Sequence, residues 1–202
     1  MPESTVARPD KMHPGTLELQ ARFGTTELGA RVARSVQPRL DAREMELIRN
    51  QEWFFWATAD ETGRPDCSFR SGPRGFVKVL DECTLAFEDY DGNGAFMSLG
   101  NLLVNPSVAL LFVDFERAKR LRVGGTAEVL DGAAAAAVWP GAKRVVRIHV
   151  THTHANCPRH VPYLVKGMVP TTLPARINCW VRKNLGRSAT VRRIYDWMQE
   201  HL

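Results

Sequence analysis

The fold is decided by residues 85–106, which read LAFEDYDGNGAFMSLGNLLVNP. The segment begins as a buried strand, breaks at residues 91–94, and then resumes with a helical spacing of apolar residues that Pro106 closes. The predicted apolar face of this helix comprises Phe96, Leu99 and Leu103. A turn of small residues between a strand and a helix directs backbone N–H groups toward one place, where an anion, commonly a phosphate, is favoured.

The sequence on either side alternates between short apolar runs and turn residues. Residues 53–59 form a continuous apolar and aromatic run that is too short for a helix, and residues 60–63 after it are typical of a turn. Further strands are predicted at residues 66–70, 76–80, 84–87, 108–115, 121–130 and 144–154. Closely spaced strands with one inserted helix indicate an antiparallel β-barrel rather than alternating β-α-β units.

The chain is expected to form a single domain with three parts. Residues 1–52 are predicted to be a tail followed by two or three short helices that pack on the barrel. Residues 53–165 form the predicted barrel core, and residues 166–202 form two predicted helices that close the chain. A chain of 202 residues is long enough for one sizeable core.

Composition and charge argue against several classes of protein. No run approaches the ~20 apolar residues of a membrane span, and the N-terminus lacks the order of a signal peptide, so we expect a cytoplasmic protein without a membrane segment. The net charge of +5 is modest and aromatic residues do not alternate with basic ones, so no nucleic-acid partner is expected. Four scattered cysteines without a Cys-x-x-Cys pair indicate neither a disulfide framework nor a zinc ribbon.

Residues 54–129 resemble the pyridoxamine 5′-phosphate oxidase-like flavoproteins, a superfamily of split β-barrels that bind FMN. The resemblance consists of an Ala-Thr-x-x-x-x-Gly-Arg-Pro hairpin, a loop before a short helix that ends in Asn-Pro, and an Arg-rich strand with Val-x-Gly. Residues 156–160, NCPRH, are similar to a segment of one uncharacterised branch of that family. The resemblance implies a mainly β protein with flanking helices, an antiparallel split β-barrel. It also implies a homodimer with FMN at the subunit interface and a small-molecule substrate.

The resemblance further implies the contacts that hold the flavin ring. One strand would run its backbone along the isoalloxazine edge, and it comprises Cys67, Ser68, Phe69 and Arg70. The second wall would include Phe87 and Tyr90. The partner subunit would close the pocket with Asn156, Cys157, Pro158 and Arg159.

The phosphate end of the flavin would lie at the turn described first. The turn residues implied in phosphate binding are Asp91, Gly92 and Asn93, and the Ser98 hydroxyl on the following helix would add a hydrogen bond. Arg70 and Lys78 on the preceding strands would supply positive charge for the phosphate dianion. Because the cofactor carries the redox chemistry, these residues would hold and tune it, and no catalytic residue is identified.

Two departures from the family pattern bear on the activity. Asn93-Gly94 stands where the oxidase proper has an Arg-Lys pair that grips the phosphate. The oxidase's C-terminal Arg-x-His signature is also missing, because Arg147-Ile148-His149 lies inside a predicted strand. These departures argue against oxidation of pyridoxamine phosphate itself and favour an oxidoreductase acting on another small molecule.

Three other functions stay open at this point. The first is a flavin carrier or redox sensor without turnover. The second is haem binding through His152, His154 or His160, and the third is a deazaflavin in place of FMN. A dedicated metal site is not expected, because no second ligand cluster is spaced to complete a tetrahedron.

Overall fold

The computed structural model describes residues 13–90, 92–156, 159 and 161–162. These residues belong to the first of two compact units, residues 1–164. The two helices predicted near the C-terminus lie outside the described residues. Within the described ranges, no helix has the length and apolar character needed to cross a membrane.

Seven strands pair into one antiparallel sheet in the order β2-β1-β5-β6-β7-β4-β3. The strands are β1 Trp53–Ala59, β2 Pro65–Ser71, β3 Val77–Asp81, β4 Thr84–Glu88, β5 Ser107–Asp114, β6 Lys119–Asp131 and β7 Arg144–Asn156. The sheet is not closed, since β2 and β3 stand at its two ends. This topology confirms the antiparallel split β-barrel predicted from the sequence.

In the described part of the chain, five helices flank the sheet: α1 Pro14–Arg22, α2 Thr26–Ser35, α3 Ala42–Asn50, α4 Met97–Val104 and α5 Gly132–Val138. The first three account for the predicted N-terminal helices. A capping box begins α3, because Asp41 accepts a hydrogen bond from the Glu44 N–H while the Glu44 carboxylate accepts one from the Asp41 N–H. Helix α4 lies between β4 and β5, as the Asn-Pro segment predicts.

Aromatic residues of β1 and β4 form the centre of the core. Along β1, Phe54 and Trp56 are fully buried while the intervening Phe55 is exposed, which is the alternation of a strand with one inward face. Phe87 of β4 meets both inward rings edge to face, with centroids 5.2 Å from Phe54 and 5.4 Å from Trp56. Such pairs stabilise a core beyond the area that they bury.

The apolar face predicted for α4 is wrong in detail. The buried residues of this helix are Ser98, Leu99 and Leu102, whereas Leu103 is 81% exposed. Phe96 is 49% exposed and precedes the helix in a left-handed backbone conformation, with φ of 50°. Phe96 therefore lies outside the helix, and Leu102 takes the buried position that the sequence pattern assigns to Leu103.

Candidate functional site

A cleft of about 350 Å³ lies between β2 and the segment that leads from β4 into α4. Its lining residues are Asp66, Ser68, Arg70, Asp89, Tyr90 and residues 92–99. The strand-to-helix turn identified in the sequence therefore faces a neighbouring strand across an open space. We call this space the cleft.

Strand alternation decides which side chains of β2 face the cleft. Asp66, Ser68 and Arg70 are half-buried and line it, whereas Cys67 and Phe69 between them are exposed on the other face of the strand. The three cleft-facing side chains supply a carboxylate, a hydroxyl and a guanidinium along one edge. Hydrogen-bond acceptors therefore lie at the Asp66 end of this edge, and a positive charge lies at the Arg70 end.

The cationic end is a cluster of two arginines around one buried carboxylate. Asp89, which follows β4, is only 6% exposed. Its Oδ1 accepts a hydrogen bond from Arg70 Nη1 at 3.0 Å, and its Oδ2 accepts one from Arg144 Nε at 3.1 Å. Two guanidinium groups share one carboxylate, so the cluster of Arg70, Asp89 and Arg144 keeps one positive charge.

Aromatic rings support both guanidinium groups of this cluster. Arg70 lies 4.9 Å from the centroid of the Trp56 ring, and Arg144 lies 5.0 Å from the centroid of the Phe96 ring. The Nε atom of Arg70 is buried and has no hydrogen-bond partner among the described residues. A buried guanidinium N–H without a partner is an unsatisfied donor that an anionic ligand would satisfy.

The turn before α4 presents backbone donors to the cleft. Gly94 has φ of 76°, a conformation that glycine adopts without steric cost, and Asn93 Oδ1 accepts a hydrogen bond from the Ala95 N–H at 3.0 Å. Phe96, at the N-cap position of α4, has no side-chain capping bond. No side chain at the N-cap position therefore occupies the N-terminal N–H groups of α4, the groups at which helices bind anions.

Hydroxyl groups occupy the other end of the cleft. The buried Ser98 donates its hydrogen bond to Asp66 Oδ2 at 2.9 Å, and its Oγ lies 3.3 Å from Ser68 Oγ. Tyr90 adds a phenol whose pKa is raised by burial and by the nearby Glu88 carboxylate. Tyr90 therefore keeps its proton at neutral pH and is available as a donor.

Several residues that the resemblance implies do line the cleft. They are Ser68, Arg70, Tyr90, Gly92, Asn93 and Ser98. Asp91, Cys157 and Pro158 lie outside the described residues. Asn156 ends β7, and Arg159 is exposed, with its carbonyl oxygen accepting a hydrogen bond from Arg120 Nη2.

Two of the implied side chains are committed elsewhere. Phe87 is 1% exposed and packs against the core aromatic rings, so its side chain offers no surface to a ligand. Lys78 Nζ donates to the Val138 carbonyl at 3.1 Å and lies 4.0 Å from the centroid of the Trp139 ring. Lys78 therefore contacts the α5 region, and it is absent from the cleft lining.

Sequence reasoning missed three residues of the site, namely Asp66, Asp89 and Arg144. The alternation along β2 carried a signal for Asp66, because it shares a face with Ser68 and Arg70. No local sequence pattern indicated Asp89 or Arg144, because 55 sequence positions separate them and only the pairing of β4 with β7 brings them together.

His152 and His154, the two described histidines that left haem binding open in the sequence, lie on β7. Burial lowers the pKa of His152, and burial together with the nearby charges of Arg122 and His152 lowers the pKa of His154. His154 Nδ1 lies 3.4 Å from Ser35 Oγ, and His152 Nδ1 lies 3.1 Å from Thr151 Oγ1. Among the described residues, no group of three His, Cys, Asp or Glu side chains is placed to hold a metal ion.

The sheet topology defines a split β-barrel protein whose cleft lies at a strand-to-helix turn. Residues 40–160, more than half of the chain, match the family model described as pyridoxamine 5′-phosphate oxidase. The chain therefore belongs to the pyridoxamine 5′-phosphate oxidase family, as the resemblance indicates. No functionally curated protein matches the sequence.

Solved structures similar to this chain cover a little over half of it. HupZ of Group A Streptococcus is 28% identical and aligns over 58% of this chain and 99% of its own, with a TM-score of 0.45. A proposed pyridoxamine 5′-phosphate oxidase of Lactobacillus delbrueckii is 26% identical over 58% of this chain and 94% of its own, with a TM-score of 0.47. HutZ, the heme storage protein of Vibrio cholerae, is 16% identical and aligns over 56% of this chain and 89% of its own, with a TM-score of 0.37.

Proposed function

We propose that this protein binds FMN in the cleft and acts as an oxidoreductase on a small molecule. Family membership supports a flavin, and the observation that carries the proposal is Arg70. Its guanidinium is half-buried in the cleft, is held by Asp89, and has a buried Nε without a hydrogen-bond partner among the described residues. Arg70 lines the same cleft as the strand-to-helix turn, and a guanidinium beside such a turn suits a phosphate.

The chain's own residues suit the two ends of such a ligand. Arg70 and the backbone N–H groups of residues 92–94 would bind the phosphate, while Asp66 and Ser68 would accept hydrogen bonds from ribityl hydroxyl groups. The buried Ser98 would position the Asp66 carboxylate through their 2.9 Å hydrogen bond. FMN, when bound, would supply one- and two-electron redox chemistry that no side chain of the cleft has.

The homodimer belongs to the same proposal. The outer face of β1 and β2 exposes Phe55 and Phe69, whose rings meet edge to face at 5.7 Å, and α4 exposes Met97 and Leu103. Exposed apolar groups of this kind are typical of a protein–protein interface. A second copy would cover them, and its residues 156–159 would close the cleft.

A visible absorbance spectrum and a flavin fluorescence titration test the proposal. We expect the purified protein to bind FMN, and we expect Arg70→Gln to weaken FMN binding at least tenfold, which corresponds to about 1.4 kcal/mol. Arg147→Gln is the matched control, because it removes an arginine of the same sheet that lies outside the cleft lining. A protein that leaves the FMN spectrum and fluorescence unchanged would overturn the proposal.

Haem is the second candidate, and the histidines of β7 favour it. Their lowered pKa values keep the imidazole groups of His152 and His154 neutral, which is the form that ligates iron. The same spectrum separates the candidates. An intense haem band that His152→Ala or His154→Ala abolishes would replace FMN with haem.

A further inference from the structure

We propose that Asp89 is a positioning residue that sets the preference of the cleft for a phosphate-bearing ligand. Asp89 would do this by fixing the Arg70 guanidinium and by tying Arg144 to the turn before α4. This inference rests on the proposed function, because it concerns how the cleft recognises the phosphate of FMN. Asp89 would act through Arg70 rather than by touching the phosphate.

Asp89 joins three parts of the chain at one buried point. Its two carboxylate oxygens accept hydrogen bonds from Arg70 of β2 and from Arg144 of β7, at 3.0 and 3.1 Å. Its backbone N–H also donates to the Arg144 carbonyl at 3.1 Å. With 6% of its surface exposed, Asp89 is the most enclosed member of this ionic cluster. Such a carboxylate holds its partners in one orientation more firmly than an exposed one.

The cluster continues into an aromatic ring on each side. Trp56 supports Arg70 at 4.9 Å, and Phe96 meets Arg144 at 5.0 Å. Phe96 lines the cleft and has a left-handed backbone, which the surrounding contacts must maintain. One carboxylate therefore connects the core of the barrel with the turn that faces the ligand.

Two contacts fix the Arg70 guanidinium at the edge of the cleft. The ring of Trp56 lies against it, and Asp89 accepts one of the two Nη1 hydrogens. The Nε atom is the donor that lacks a partner among the described residues. Because a guanidinium is planar, fixing Nη1 also fixes the direction in which Nε points.

A purely electrostatic role for Asp89 predicts the opposite result. Its negative charge stands in the same cleft as Asp66, and both would repel a phosphate dianion. If Asp89 acted only through its charge, neutralising it would strengthen FMN binding. If Asp89 positions Arg70, neutralising it weakens FMN binding despite the loss of repulsion.

The experiment compares FMN with riboflavin, which has the same ring and ribityl chain but no phosphate. Dissociation constants for both are measured by fluorescence titration with the full chain as wild type, Asp89→Asn and Asp89→Glu. The ratio of the riboflavin constant to the FMN constant reports phosphate preference. We expect both variants to lower this ratio at least tenfold while riboflavin affinity changes less than about threefold, because a charge-assisted hydrogen bond is lost or displaced.

Asp89→Glu separates the position of the carboxylate from its charge. It also tests the proposal if the Asp89→Asn variant does not fold. It keeps the charge and moves the carboxylate by one methylene, so an unchanged ratio would overturn the proposal. A ratio that rises in Asp89→Asn would overturn it as well, in favour of simple repulsion. Glu128→Gln, which breaks an exposed arginine pair of the same sheet, is the control and should leave the ratio unchanged.

Failure of the proposed function looks different from failure of this inference. A wild-type protein that binds neither flavin, or binds FMN no better than riboflavin, overturns the phosphate site itself. A wild-type protein that prefers FMN while both Asp89 variants keep that preference overturns only the role of Asp89.

Discussion

Two open spaces on this barrel each lie beside an arginine of β7 that is paired with a carboxylate, yet the two pairs differ in what they can do. The cleft, of about 350 Å³, adjoins Arg144 and Asp89. A groove of about 680 Å³ contains Arg147 and Glu128. The groove is the larger of the two spaces, and Arg147 and His149 of the Arg-Ile-His segment line it. The side chains of Arg147 and Glu128 are 42% and 57% exposed, whereas those of Arg144 and Asp89 are 23% and 5% exposed.

The difference shows that burial, more than residue type, separates a binding site from a solvated surface. Arg147 Nε donates a hydrogen bond to Glu128 Oε1 at 2.8 Å. Because both side chains are exposed to water, this ion pair contributes little to stability. Asp89 instead shares its carboxylate between two arginines, and this buried ionic cluster holds the Arg70 guanidinium at the edge of the cleft. A charge held in place beside a helix N-terminus is suited to bind an anion.

The largest expected effect is on stability. Asp89→Ala should lower the free energy of unfolding by about 3 kcal/mol, because it leaves two partly buried guanidinium groups without their carboxylate. Glu128→Ala should lower it by less than about 1 kcal/mol, because both Glu128 and its partner Arg147 are exposed to water. Urea unfolding of the two variants and the wild type measures the difference. Equal losses in the two variants would contradict the comparison between cleft and groove.

The sequence was sufficient to predict most of the fold. Apolar alternation in β1 and the turn residues after it predicted a hairpin, and the register of β1 with β2 confirms it, with Ala59 opposite Pro65. Phe96 was wrongly assigned to the face of α4 because its left-handed conformation places it before the helix. A periodicity rule cannot detect a single non-glycine residue with positive φ.

The site was less predictable than the fold, because its charges come from distant strands. The turn at residues 92–94 was visible as a run of small residues, and Arg70 as a cation near it. The contact of Asp89 with Arg144 depends on tertiary pairing and had no local signal. Lys78 shows the converse, since it was a reasonable phosphate ligand by sequence but contacts Trp139.

A smaller effect is expected at the turn that distinguishes the cleft. Gly94→Ala should cost about 1 kcal/mol of stability and weaken FMN binding, because φ of 76° is strained for any residue with a Cβ atom. Gly63→Ala is the matched control, since it adds the same methyl group at a φ of 82°, into open space and outside the cleft lining. Thermal unfolding and flavin titration measure both variants, and an equal loss of FMN affinity in the two would show that the conformation of Gly94 has no specific role in the cleft.

The smallest expected effect is a pH dependence of stability that comes from two histidines of β7, the strand that also contains both arginines of the comparison. The lowered pKa values of His152 and His154 mean that the unfolded chain binds their protons more tightly than the folded chain. Stability from this source is complete above the ordinary pKa of 6.5 and is lost as the pH falls toward the folded-state values. We therefore expect the free energy of unfolding to fall as the pH drops below about 6.5, and to fall less steeply in a variant with both histidines changed to Gln. Urea unfolding across this range measures the slope, and an unchanged slope in the double variant would assign the pH dependence to other groups.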